Sequence, residues 1–289
     1  MKLFIKSFLI LIMLFILFLI YIFVFTNPFE PEIKGVKELK ITRLTSSEFN
    51  LEIVIEIENS NFFEMNLSDI DLYLIHQNDT LGFLEQPKEL VIPSNSKIDY
   101  NLKVSLYTIK VAEILKDEKD TLNFNLQGKA KTKLLFFTFP INLDTKLDFA
   151  LKENLSNFVQ TDSKDKKIID VKSASINKIG LTKSQLLINF TLNNPYEVKL
   201  KLVEYPSVVF INDSKSGEGN LQNEIEADSL QSNVGGTFLF DLDNFQAIKS
   251  AFGVLFNQKL EYRTEGPLVI EIVGIKIKLP FSYKGELLQ

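Results

Sequence analysis

Few side chains in this sequence have a type and spacing that do chemistry. The one histidine, His76, lies near a strand end beside the polar run Gln77-Asn78-Asp79-Thr80. A zinc site needs several ligands at set spacing, and His76 has no His-x-x-x-His partner, so it reads as a solvated turn residue. Asp69 and Asp71 stand two apart, which on a strand turns both carboxylates to one face. That pair reads as a solvated strand face rather than an acid and its base. Asp241-Leu242-Asp243-Asn244 sits where a strand hands over to a helix. Clustered oxygens there can bind calcium weakly, but capping the helix is the simpler role. No Gly-x-Ser-x-Gly, His-Glu-x-x-His or phosphate-binding glycine loop occurs. The chain has no cysteine, which excludes disulfides, thiolate metal sites and cysteine nucleophiles. The expectation is a protein that is not an enzyme and carries no cofactor and no metal.

The polar residues that do recur with a pattern are asparagines at strand ends. Phe49, Leu51, Ile53, Ile55 and Ile57 alternate with polar residues and run into Asn59-Ser60-Asn61-Phe62. Leu186, Ile188, Phe190 and Leu192 do the same and run into Asn193-Asn194-Pro195-Tyr196. Alternation at period two marks antiparallel strands with one buried side. An Asn side chain bonds its own backbone two residues on and Pro fixes φ, so these turns end one strand and aim the next. Their role is read as structural.

Around these turns the same order of elements occurs twice, over Glu48–Phe149 and Lys183–Leu287. A second alternating strand follows in each: Tyr100, Leu102, Val104 and Leu106, then Val234, Phe238, Phe240 and Leu242. Next comes a short helix, expected at Thr108–Lys116 with Ile109, Ala112, Ile114 and Leu115 apolar, and at Asn244–Gln258 with Phe245, Ile248, Ala251, Phe252, Leu255 and Phe256 apolar. A strand pair bearing Pro140 or Pro280 closes each copy. A repeat this long means tandem domains rather than a solenoid. The polar stretch Lys152–Lys167 between them reads as a linker.

At the N-terminus, Phe8–Phe25 is an 18-residue run without a charge, preceded by Lys2 and Lys6. With Leu3–Ser7 it reaches the roughly 20 residues needed to span about 30 Å of hydrocarbon. The run is longer than the apolar part of a cleaved signal peptide, and it ends in Thr26-Asn27-Pro28-Phe29 without a small-x-small site. An uncleaved signal anchor is expected, its N-terminus cytoplasmic by the positive-inside tendency. The remainder carries 30 of the 32 bases against 37 acids. An acidic surface of that kind is a poor footprint for nucleic acid.

One family carries this pattern. Leu192-Asn193-Asn194-Pro195-Tyr196-Glu197-Val198, with Ile57-Glu58-Asn59-Ser60-Asn61-Phe62-Phe63 as its counterpart, resembles the type 2 late-embryogenesis-abundant domain, also called the water-stress and hypersensitive-response domain. The resemblance extends over most of both copies, although the first lacks the proline. It implies an all-β fold: two tandem antiparallel β-sandwiches of fibronectin type III or immunoglobulin type, each with one short helix, after a single transmembrane helix. The boundaries are residues 1–26 for the anchor, 27–34 for a spacer, 35–150 for the first domain, 151–167 for the linker and 168–289 for the second domain. It also implies a stress-protective or envelope role without catalysis.

The expected function is therefore a membrane-anchored, non-catalytic envelope protein, acting in stress protection or as a scaffold. The Lys-rich, Arg-poor composition, with Arg43 and Arg263 alone, favours a bacterial inner membrane with the domains facing the periplasm. The alternative is a carrier of lipid or another apolar ligand, lined by Phe238, Phe240, Phe245, Phe252 and Phe256. The expected partners are the membrane, with lipid or envelope proteins beyond it.

Overall fold

The computed structural model describes residues 10–18, 21, 30–85, 88–117, 122–134, 137–177, 183–243 and 260–287. Residues 10–18 and 21 are helical and form the described part of α1. Among the described residues no helix is long and apolar enough to cross a membrane. Most of the expected anchor, the first part of the spacer and the whole expected helix Asn244–Gln258 lie outside the described residues.

From Glu32 onward the chain is mainly antiparallel β-structure. The first nine strands are β1 (Glu32–Leu44), β2 (Glu48–Asn59), β3 (Met65–His76), β4 (Asp79–Thr80), β5 (Gly82–Leu84), β6 (Glu89–Ile92), β7 (Ser96–Tyr107), β8 (Leu122–Leu134) and β9 (Phe137–Phe149), with α2 (Thr108–Asp117) after β7. Helix α3 (Leu151–Lys166) leads to β10 (Ile169–Asn177), β11 (Lys183–Leu192), β12 (Leu200–Glu204), β13 (Ser207–Ile211), β14 (Ser214–Leu221), β15 (Ile225–Ala227), β16 (Val234–Asp243), β17 (Leu260–Ile272) and β18 (Ile275–Leu287).

Strands β1 to β9 form two sheets, ordered β1-β2-β7-β5 and β4-β3-β8-β9, with β6 also on β3. Strands β10 to β18 form one sheet, ordered β10-β11-β16-β14-β13-β17-β12-β15, with β18 on β17. The two orders follow one path. The run β10-β11-β16-β14 repeats β1-β2-β7-β5, and β12 with β13 occupies the place of β3. They differ in that β3 is one strand where β12 and β13 are two, and in that β14 pairs with both β13 and β16, whereas β4 pairs with β3 and the separate β5 with β7.

Alternation in the sequence sets the core. In β2, Phe49, Leu51, Ile53, Ile55 and Ile57 are buried, and in β11 Leu186, Ile188, Phe190 and Leu192 are. In β3 the alternation slips. The register shifts between Ser68 and Asp71, and Asp69 takes a φ of 48°. An extra residue of this kind is a bulge, after which Ile70, Leu72 and Leu74 face inward. Gly128 lies against this site on β8, where a Cβ would stand 2.2 Å from the Asp71 carbonyl oxygen.

The helix expected at Thr108–Lys116 is α2, but the place of Ile109 on it and the linker reading need correction. Helix α2 buries Val111, Ala112 and Leu115, while Ile109 is 68% exposed. Its buried face thus runs through Val111 rather than Ile109, and Thr108 at the helix start donates its hydroxyl to the Thr45 carbonyl at 2.9 Å. The stretch read as a linker is largely α3. Leu151, Leu155 and Val159 recur every fourth residue and are fully buried, so one narrow stripe holds an otherwise polar helix. Asn154 Nδ2 donates to the Ala150 carbonyl at 2.9 Å at the first turn, and Ser156 Oγ donates to the Lys278 carbonyl on β18 at 3.3 Å.

The chain divides into two compact units. One comprises Met1–Leu39, Glu52–Val104 and Asn123–Phe149; the other comprises Lys40–Leu51, Ser105–Leu122 and Ala150–Gln289. The segments 40–51 and 105–122 fall within the span that the sequence assigns to the first domain. They are tied into the second unit through the Arg43–Glu197 ion pair at 2.8 Å, the bridge of Thr45 with Glu197 and the Thr108 N–H bond to the Ser47 carbonyl.

Candidate functional site

Each asparagine turn is built around one buried, fully bonded amide. Period two carries the inward face of β2 one step past Ile57, to Asn59, which is fully buried. Its Nδ2 donates to the carbonyls of Phe63 at 2.9 Å, Ile92 at 3.1 Å and Pro93 at 3.0 Å, and its Oδ1 accepts the Asn61 N–H at 3.0 Å. In β11 the same step past Leu192 reaches Asn194, 1% exposed. Its Nδ2 donates to Val198 at 2.6 Å, Ala227 at 3.2 Å and Asp228 at 2.7 Å, and its Oδ1 accepts the Tyr196 N–H at 3.0 Å. The sequence separations are 2, 4, 33 and 34 in both. Each amide thus closes its own turn and clips it to a segment 33 residues on. A buried amide satisfied on both ends specifies geometry, where an unsatisfied one would cost stability.

The remaining motif residues play unlike parts. Asn193 is half-buried, donating to the Lys167 carbonyl at 3.2 Å and accepting the Asn233 N–H at 2.9 Å. Tyr196 is buried beside Phe158, with ring centroids 5.7 Å apart. Asn61 accepts the Asn95 N–H at its carbonyl at 2.9 Å. Phe62 projects outward, 84% exposed. Pro195 follows the buried Asn194 at the place that Ser60 holds after Asn59.

The acidic candidates are all exposed. Asp69 and Asp71 flank the buried Ile70, which agrees with the reading of a solvated strand face; the bulge breaks the period before Ile70 rather than between the two carboxylates. Asp69 takes Lys131 at 2.8 Å, and that ammonium holds its carboxyl below the usual range. Asp71 instead accepts the Tyr73 hydroxyl at 2.7 Å, which raises the phenol. Asp241 accepts Gln185 Nε2 at 3.2 Å and, with Asp243, lines an open groove that also contains Lys183, Lys215 and Glu218. Asn244 lies outside the described residues. His76 donates Nδ1–H to the Asn123 carbonyl at 2.8 Å. Among the described residues no three metal-ligating side chains converge.

Of the five phenylalanines considered for an apolar ligand, Phe245, Phe252 and Phe256 lie outside the described residues. Phe238 and Phe240 are buried and already surrounded by rings. Phe190 stacks on Phe238 at 4.1 Å, and Tyr205 packs against Phe238 at 4.6 Å and Phe240 at 6.5 Å. Tyr205 also bonds the Thr264 hydroxyl at 3.1 Å. Tyr205 gave no signal in the sequence beyond its type; only the folded structure gathers these rings around it.

The chain is similar to several solved structures. A protein from Archaeoglobus fulgidus is 15% identical over 42% of this chain and 98% of its own, with a TM-score of 0.33. A red sea bream transglutaminase is 7% identical, covering 89% of this chain and 32% of its own, with a TM-score of 0.34. A protein from Arabidopsis thaliana, known from a solution structure, is 10% identical over 42% and 83%, with a TM-score of 0.28. No curated protein matches the chain. Residues 54–147, which contain the Asn59 turn, match the family described as late embryogenesis abundant protein, and this match supports a type 2 domain of that family over that span.

Proposed function

We propose that this is a non-catalytic, membrane-anchored envelope protein with two tandem type 2 late-embryogenesis-abundant-like β-sandwiches, acting in stress protection through its domain surfaces. The observation that carries the reading is the repeated asparagine lock. Four bonds recur at the same four separations at Asn59, within the matched span, and at Asn194, beyond it. The shared strand path supports the same reading. The family match supports a stress-related or non-catalytic role. The anchor rests on the uncharged run Phe8–Phe25 behind Lys2 and Lys6, and the orientation on those two lysines. The close ring packing of Phe238 and Phe240 gives the carrier alternative no support.

The test is a protection assay with the full chain in detergent or nanodiscs. A labile enzyme is dried or heated beside it, with albumin at equal mass as control. Recovery of activity well above the albumin control is expected. Recovery no better than albumin would remove the stress-protective role and leave a scaffold role to be sought.

A further inference from the structure

The third residue after each locked asparagine differs sharply in chemistry. After Asn194 it is Glu197, which takes Arg43 at 2.8 Å and bridges Thr45 within the second unit. After Asn59 it is Phe62, whose ring is 84% exposed. That exposure is held in place. The Asn61 N–H is tied to Asn59 Oδ1, the Asn61 carbonyl takes the Asn95 N–H at 2.9 Å, and the Phe63 ring meets Phe62 edge-on at 5.2 Å. A buried four-bond clip therefore points a phenyl ring into solvent.

The end of the sheet at which this happens is fixed by an ion pair. Lys34, near the start of β1, lies 2.9 Å from Glu58, the residue before Asn59. The start of β1 and the Phe62 turn thus share one end of the first unit. Residues 26–31 alone separate the run Phe8–Phe25 from β1. Six residues reach about 20 Å at full extension. Any bilayer that holds Phe8–Phe25 lies within that reach of the sheet end from which Phe62 projects. Lys97, 54% exposed on β7 and 3.6 Å from Glu58, stands at the same end.

We infer that the Phe62 turn is a membrane contact: its ring enters the boundary between headgroups and acyl chains of the bilayer holding the N-terminal run, with Lys97 near the lipid phosphates. The inference rests on the anchored reading proposed above. An aromatic ring in the interfacial layer beside a lysine that keeps its charge in water is how amphipathic surfaces lie on lipid. One ring would be a feeble anchor alone. Here the anchor supplies a high local concentration of bilayer, so a small apolar contact is enough to orient the first unit.

The chain has no tryptophan, so Phe62→Trp introduces a sole indole reporter. Tyr73→Trp is the control, eight residues beyond Met65 along β3 and so about 25 Å from that end. Both full-length variants are reconstituted into phosphatidylcholine vesicles with and without brominated acyl chains, and flotation is scored alongside emission. The expected result is flotation of both, with blue-shifted emission and bromine quenching for Phe62→Trp only. Flotation with water-like, unquenched emission at position 62 overturns the contact and leaves the anchor standing. Failure to float overturns both. Quenching at 62 and 73 alike also overturns the contact, since it would mean unspecific adsorption.

Discussion

At the scale of single residues, two neighbouring asparagines of the same type have very different consequences. Asn194 closes four bonds in a buried site, and Asn193 closes two in a half-buried one. Replacing a buried amide by an isosteric apolar group strands the carbonyls it served, at about 3 kcal/mol in all. Asn59→Leu and Asn194→Leu are expected to lower the unfolding free energy by that much, read as a lower denaturation midpoint at unchanged slope, and Asn193→Ala by less than about 1 kcal/mol. Equal losses at Asn193 and Asn194 would contradict the lock. A second residue-level expectation concerns Tyr262, which is buried. Desolvation, with Tyr283 adding to it, pushes its phenol well above the ordinary value of 10.0. The folded state therefore favours the neutral phenol. This contribution is complete below about pH 10, the unfolded value, and is lost as pH rises toward the folded value. Tyr262→Phe is expected to flatten the alkaline limb of the stability–pH curve; an unchanged limb would remove Tyr262 as its cause.

At the scale of elements, the strands were legible because period two is a strong signal in β2, β7 and β11. That alternation even contained the asparagine lock, since the step after Ile57 or Leu192 must point inward. What it could not show was the carbonyls waiting 33 residues away, which only the folded sheet brings near. The bulge at Asp69 left a trace in the two consecutive polar residues Ser68-Asp69, which interrupt the alternation; the pairing with β8 shows that the interruption is an extra residue within one strand rather than a strand end. Helix α3 was missed because its polar composition outweighed three residues, Leu151, Leu155 and Val159, spaced four apart. Those three are fully buried. Leu155→Ala is accordingly expected to cost about 3 kcal/mol, read as a fall in thermal stability. A cost below about 0.5 kcal/mol, as for an exposed linker position, would contradict the packed helix.

At the scale of the whole molecule, the proposed arrangement is one domain type used twice behind an N-terminal membrane segment. Its central claim is topological: the β-structure stands outside the bilayer and the extreme N-terminus inside. The natural absence of cysteine makes this directly measurable. Lys2→Cys and Asp79→Cys would be made singly, Asp79 being exposed at the start of the short strand β4 in the first unit. Spheroplasts expressing each variant are treated with a membrane-impermeant maleimide before and after lysis, and the membranes are then washed with alkali. The account predicts labelling of Asp79→Cys before lysis, labelling of Lys2→Cys only after it, and both proteins retained in the washed membrane. Protection of Asp79→Cys in intact spheroplasts, or release of the protein by alkali, would contradict it.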